Sequence, residues 1–194
     1  MFVQRFRLAA AALACFAACL AAVPAHAAKA PQLNARAWAL IDAASGRVLA
    51  ERQSDLPLAP ATLTQLMTAY VLFGDLRANK LALGELVDVP AAALKVDGAR
   101  LFLKAGDQVS VDTLLQGLIV ASAGDAALTL AIETDGSEAD FVGRMNAAAK
   151  KLGLKRTRFS NVNGVSDPDQ RASALDLALL ARALIRDFPE RLGY

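Results

Sequence analysis

Residues 60–71 read Pro60-Ala61-Thr62-Leu63-Thr64-Gln65-Leu66-Met67-Thr68-Ala69-Tyr70-Val71. From Thr62 onward, Leu63, Leu66, Met67, Tyr70 and Val71 recur at three- and four-residue steps, the period of an apolar stripe on an α-helix. The spacing predicts a helix running to about Ala78, with Pro60 fixing the approach of the chain. Thr62 and Gln65 stand three apart ahead of the apolar run, which predicts a capping box. In it the Thr62 hydroxyl accepts from the Gln65 amide, and the Gln65 side chain reaches back to the amide of Thr62.

Working outward, residues 28–34 read as a linker. Residues 37–41 and 47–50 flank Asp42-Ala43-Ala44-Ser45-Gly46, two short strands around a turn with a glycine where positive φ costs little. Residues 86–89 and 101–103 are short β-like pieces separated by Gly98 and Gly106, and predict small hairpins on a helical lobe. Ser110 can cap a helix through Leu114, Leu115, Leu118 and Ile119, and a second begins near Asp125, with Gly124 as the bend between them and Asp125 as an N-terminal helix charge. Ser137 caps a third, with Glu138 and Asp140 in its first turn, Lys150 and Lys151 in its last and Gly153 just beyond. A last helix follows Ser173, with Asp176 as capping partner, and stops before Pro189. One hairpin followed by four or five helices is an α+β chain. A two-stranded hairpin is marginal alone, so either helices cover it or its sheet has further strands.

The 194 residues carry 21 basic and 19 acidic side chains, one histidine and two cysteines. Residues 1–27 read as a secretory signal: Arg5 and Arg7 begin it, residues 8–23 are its apolar stretch, and Ala25-His26-Ala27 is a small-residue cleavage site. Cleavage would leave residues 28–194 as one domain, exported to the periplasm or secreted. It would also remove Cys15, Cys19, His26 and two arginines, so that basic and acidic side chains balance. Without histidine or cysteine there is no Ser-His-Asp or Cys-His pair, no zinc site with nitrogen or sulfur ligands and no disulfide. No metal and no cofactor are expected. A neutral chain lacks the electrostatic footprint of a nucleic-acid binder. After the signal no apolar run reaches the roughly 18 residues of a membrane span, and a monomer is expected.

The opening stretch resembles the active-site helix of the penicillin-binding, serine-type D-alanyl-D-alanine carboxypeptidases, where the pattern is Pro-Ala-Ser-Leu-Thr-Lys-Leu-Met-Thr. Ser122-Ala123-Gly124-Asp125-Ala126 is similar to the segment around that family's second motif, Ser-x-Asn followed by Asp-Ala. Met145-Asn146-Ala147, Asn163-Gly164, Asp167-Pro168 and Asp176-Leu177-Ala178 follow as further landmarks, so the likeness covers about residues 35–189. It implies a β-lactamase/DD-peptidase-like fold, in which an N-terminal hairpin belongs to an antiparallel sheet beside a helical lobe. It also implies acyl transfer on a peptidoglycan stem peptide, with β-lactams as substrate mimics. By that resemblance Thr62 stands at the nucleophile position, Gln65 at the general-base position and Ser122 in the second motif, while Gly124 replaces its substrate-binding asparagine. The third motif, Lys-Thr-Gly, does not occur in the 194 residues, which predicts a partial domain lacking the C-terminal strands.

These departures can be ranked. Threonine keeps a hydroxyl, but its methyl restricts χ1 and crowds the attack path. Glutamine has no titratable proton acceptor, so a general-base contribution of roughly 10² to 10⁴ is lost. Lys80 lies ~22 Å away along the helix at 1.5 Å per residue, and Lys95 and Lys104 sit in the hairpin region. The resulting expectation is a family member with impaired catalysis. The alternatives are a non-catalytic peptidoglycan-binding relative and a truncated product without function.

Overall fold

Three serines set the helical lobe. Ser110, Ser137 and Ser173 each hold extended φ/ψ and accept, through the side-chain oxygen, the amide three residues on: Thr113, Asp140 and Asp176. Each satisfies one of the amides that a helix start leaves without a partner. The computed structural model describes residue 30 and residues 32–194, and the signal sequence lies outside the described residues.

The elements in chain order are strand β1 (Trp38–Ile41), strand β2 (Val48–Arg52), a 3-10 turn (Ala61–Thr64), helix α1 (Gln65–Arg77) and strand β3 (Leu86–Asp88). Next come a second 3-10 turn (Ala91–Lys95), strand β4 (Gln108–Ser110) and helices α2 (Val111–Val120), α3 (Gly124–Asp135), α4 (Glu138–Lys151) and α5 (Ala174–Asp187). The five α-helices among the described residues, with two small antiparallel pairs, give the expected α+β class. Residues 35–194 form one compact unit.

β1 and β2 pair antiparallel in the register Trp38–Arg52, Ala39–Glu51, Leu40–Ala50, with a bulge at Leu40/Ile41. Their turn is closed by the Gly46 amide donating to the Asp42 carbonyl at 2.7 Å, with Gly46 at φ +77°. Arg182 of α5 donates to the carbonyls of Ala43 and Ala44 at 2.9 and 2.8 Å, fixing the turn to that helix. Leu40, Val48 and Leu49 of this hairpin remain exposed.

α1 runs through the middle of the lobe. Met67, Thr68, Val71, Leu72, Phe73 and Leu76 are all buried, so the helix is covered on more than one face rather than along the single predicted stripe. Around it Leu114, Leu115 and Leu118 of α2, Leu130 of α3, Phe141 and Met145 of α4, and Leu180 of α5 close the core. At the far end of α1, Arg144 of α4 pairs with Asp75 at 2.6 Å and with Asp135 at 2.7 Å, joining three helices.

Residues 101–103 depart from the β-like expectation. β3 pairs with β4 instead, in the register Leu86–Ser110, Val87–Val109, Asp88–Gln108. The amides of Leu101 and Leu103 are taken by a side chain, the Asp125 carboxylate, at 3.0 and 3.2 Å, and Phe102 between them sits at φ +60°. A stretch whose amides are bound by one carboxylate cannot also offer them to a strand ladder.

Candidate functional site

Pro60 leads into the 3-10 turn, Ala61 takes φ +49°, and Thr62 is exposed on the turn's outer side. α1 begins only at Gln65, with Thr64 as the residue before it and no side-chain cap. The predicted capping box is therefore corrected. The Gln65 main-chain amide donates to the main-chain carbonyls of Leu63 and Thr62 rather than to the Thr62 hydroxyl. The Gln65 side chain is buried and points across the molecule, with Nε2 donating to the Ser122 carbonyl at 3.1 Å and to the Asn163 carbonyl at 3.2 Å. The side chain thus joins two part-buried carbonyls of distant segments instead of forming the local cap.

Ser122 occupies the bend between α2 and α3 at φ +52°, half-buried, with its carbonyl turned to Gln65. Ala123 and Gly124 fix this bend, donating their amides to the carbonyls of Gly117 and Ala99 at 3.0 and 2.8 Å. Gly124 is the first residue of α3, consistent with the predicted bend. Asp125 lies in the first turn as expected, but it is also buried and accepts from Ala126 at 2.9 Å besides Leu101 and Leu103. It ties the 99–103 segment to the base of the bend.

The third wall is the turn at residues 161–164. Asn161 Oδ1 accepts from the Gly164 amide at 2.8 Å, and Gly164 takes φ +87°. A Cβ there would collide with the Ala61 carbonyl and lie 2.9 Å from the Thr62 nitrogen, so this glycine permits the close approach that seats Thr62. The Thr68 hydroxyl anchors the same turn to α1 by donating to the Val162 carbonyl at 2.6 Å.

Thr62, Gln65 and Ser122 line one cavity of about 320 Å³ together with Phe73, Leu118 and Tyr194. Gly124 is not in its lining, and Asn163, which faces Gly124, lines a separate cavity with Lys95, Val96 and Asn161. Lys80, Lys95 and Lys104 do not line it, and Arg191 is its one charged side chain. The Tyr194 phenol is pushed up to about 12, first by burial and then by its bond to Asp112 Oδ1 at 2.7 Å. It therefore stays protonated at neutral pH and cannot take a proton from Thr62. Among the described residues no group of three His, Cys, Asp or Glu is placed to hold a metal ion, and no helix is long and apolar enough to cross a membrane.

The profile of the D-alanyl-D-alanine carboxypeptidase family matches residues 24–194. The chain belongs to this family. Among the carboxypeptidases it resembles, DacC of Escherichia coli K12 is 47% identical over 168 residues, covering 84% of this chain and 42% of that protein. DacA of the same strain is 40% identical over 165 residues, covering 82% of this chain and 41% of the relative. Penicillin-binding protein 5 from Haemophilus influenzae superposes with a TM-score of 0.81 at 36% identity, over 84% of this chain and 48% of that one. Penicillin-binding protein D2 from Listeria monocytogenes, solved in an ampicillin-bound form, does so with a TM-score of 0.74 at 32% identity, over 84% and 66%. The carboxypeptidase-family chain thus has the penicillin-binding-protein fold over residues that span about two fifths of the curated relatives.

The resemblance had pointed to residues 62, 65 and 122. What it left unassigned is the packing of the 161–164 turn under Thr62 and the reach of Asp125 to the 99–103 segment. The Asn-Gly pair at 163–164 is a turn signal in any sequence, but nothing local says which loop it meets.

Proposed function

We propose that this chain presents a site that recognises the D-alanyl-D-alanine end of a peptidoglycan stem peptide, and β-lactams as its mimics, and that acyl transfer there is impaired. The protein is exported on the strength of the signal at residues 1–27. The supporting observation is the Gln65 carboxamide, at the position where the family carries its base, whose Nε2 donates to two carbonyls at 3.1 and 3.2 Å. An amide nitrogen so engaged has no basic lone pair to accept the Thr62 proton, and a missing general base costs roughly 10² to 10⁴ in rate. The threonine methyl adds crowding at the attacking oxygen. Ligand recognition does not need that proton transfer: a hydroxyl, a serine and main-chain groups remain around an apolar cavity of ligand size.

Calorimetry with diacetyl-L-lysyl-D-alanyl-D-alanine, with released D-alanine measured on the same sample, tests this. Saturable binding without D-alanine is the expected result. Release that is abolished by Thr62→Ala would overturn it.

A further inference from the structure

The cavity that holds Thr62, Gln65 and Ser122 extends away from them between apolar walls, among them Leu66 and Phe73 of α1, Ile119 of α2 and Leu184 of α5, and its one cation is Arg191. Arg191 closes a 3-10 turn (Pro189–Arg191) that follows α5, and its amide donates to the Phe188 carbonyl at 2.9 Å. The buried Phe188 ring meets Tyr70 and Phe73 edge to face at 5.2 and 5.6 Å, so the start of that turn is fixed against α1. Half-buried Arg191 lies beside the Tyr194 phenol, where its charge offsets part of the upward push that burial gives that group. The carboxylate that shares this phenol is already engaged on both oxygens: Asp112 Oδ1 accepts from Tyr194 at 2.7 Å and Oδ2 from Gln116 Nε2 at 2.8 Å. Among the described residues Arg191 forms no ion pair. A lone guanidinium in an otherwise apolar cavity is suited to fix one anionic group of a ligand.

Distance decides which anion that is. Tyr194 bonds to Asp112 in the first turn of α2, whereas Ser122 follows the last turn, about 15 Å away at 1.5 Å per residue. The terminal carboxylate of a D-alanyl-D-alanine end is one residue, about 3.5 Å, from the carbonyl that would face Thr62, and falls short of Arg191. A carboxylate at the tip of a long side chain on the preceding residue extends roughly 10 Å from the same carbonyl, which brings it within reach of the guanidinium.

We propose that Arg191 is a specificity-determining residue of this site: it pairs with a carboxylate at the tip of the side chain that precedes the two D-alanines, and so favours stem peptides whose side chain there is anionic. The inference rests on the reading above that the site holds a D-alanyl-D-alanine end.

The test compares two probes that differ only at that tip, diacetyl-L-lysyl-D-alanyl-D-alanine and its analogue with Nε-succinyl in place of Nε-acetyl, by calorimetry on the full chain. The succinyl probe should bind about tenfold tighter to the unaltered chain. That advantage should vanish in Arg191→Gln and persist in part in Arg191→Lys, while the affinity for the diacetyl probe stays the same in all three. Equal affinities for the two probes in the unaltered chain, or an advantage that survives Arg191→Gln, overturn the role of Arg191 and leave the D-alanyl reading standing. Failure of both probes to bind the unaltered chain overturns that reading, and the role of Arg191 with it.

Discussion

Replacing Gly164 by alanine separates backbone strain from contact. At φ +87° an L-residue is in the left-handed region, which costs about 1–2 kcal/mol. The added Cβ also collides with the Ala61 carbonyl and stands 2.9 Å from the Thr62 nitrogen. Those are backbone atoms, so no rotamer change relieves the contact, and overpacking of this kind costs about 1–3 kcal/mol. The sum is about 2–5 kcal/mol. Gly136, at φ +76° with open space around its Cβ, provides the control, because alanine there bears only the first cost. For a domain of this size each kcal/mol moves Tm by about 2–4 °C, so mid-range values give falls of about 7–14 °C for Gly164→Ala and about 3–6 °C for Gly136→Ala. Calorimetric melts of the two variants decide the matter. Binding of the D-alanyl peptide should weaken only in Gly164→Ala, since only that contact displaces Thr62. Equal falls in Tm, with equal affinity for the peptide, would refute the claim that the 161–164 turn seats the 3-10 turn.

Asp125→Asn puts an N–H donor where the carboxylate now accepts from Leu101, Leu103 and Ala126, so at least one of these amides loses its acceptor. A loss of about 2–3 kcal/mol is expected, with faster hydrogen exchange at Leu101 or Leu103 as the local readout. Arg144→Ala leaves the buried Asp75 carboxylate without its cation. It should destabilise by about 3–4 kcal/mol in urea unfolding. The Asp187 carboxyl is held down at about 2, chiefly by the Arg186 guanidinium bonded to it and also by the Tyr70 hydroxyl, against an ordinary value of 3.8. A depressed folded-state value means that its contribution is complete above about pH 4 and is lost as pH falls toward 2. The Tm of the unaltered chain should therefore fall more steeply than that of Asp187→Asn between pH 4 and 2, and parallel curves would count against the pairing.

Much of the helical lobe is legible in the sequence, because the signals that set it are local. Ser110, Ser137 and Ser173 each stand one residue before a helix and cap it through a bond three residues on. The hairpin turn is equally local, set by Asp42 and Gly46. What escapes the sequence depends on distant partners. Thr62 and Gln65 carry the spacing of a capping box, yet Gln65 answers to carbonyls 57 and 98 residues away. Residues 101–103 read as a short β-like piece, but a carboxylate more than twenty residues on binds the amides of Leu101 and Leu103. Asp176 looks like a capping partner, and its main-chain amide does meet Ser173. Its carboxylate instead accepts from the Arg156 amide and the Thr157 hydroxyl at 2.7 and 2.8 Å. The site followed the same division: residues 62, 65, 122 and 124 stand at family motif positions, whereas the packing of Gly164 against Ala61 and Thr62 is visible only once the two turns are seen together.

The impaired chemistry at Thr62 is tested most directly by the intact mass of the folded chain after exposure to benzylpenicillin, beside Thr62→Ala treated in the same way. The expected result is an unchanged mass for both proteins, because no group at residue 65 can take the threonine proton. A penicilloyl adduct on the unaltered chain that disappears in Thr62→Ala would contradict it, and would mean that the threonine is activated by a base other than residue 65.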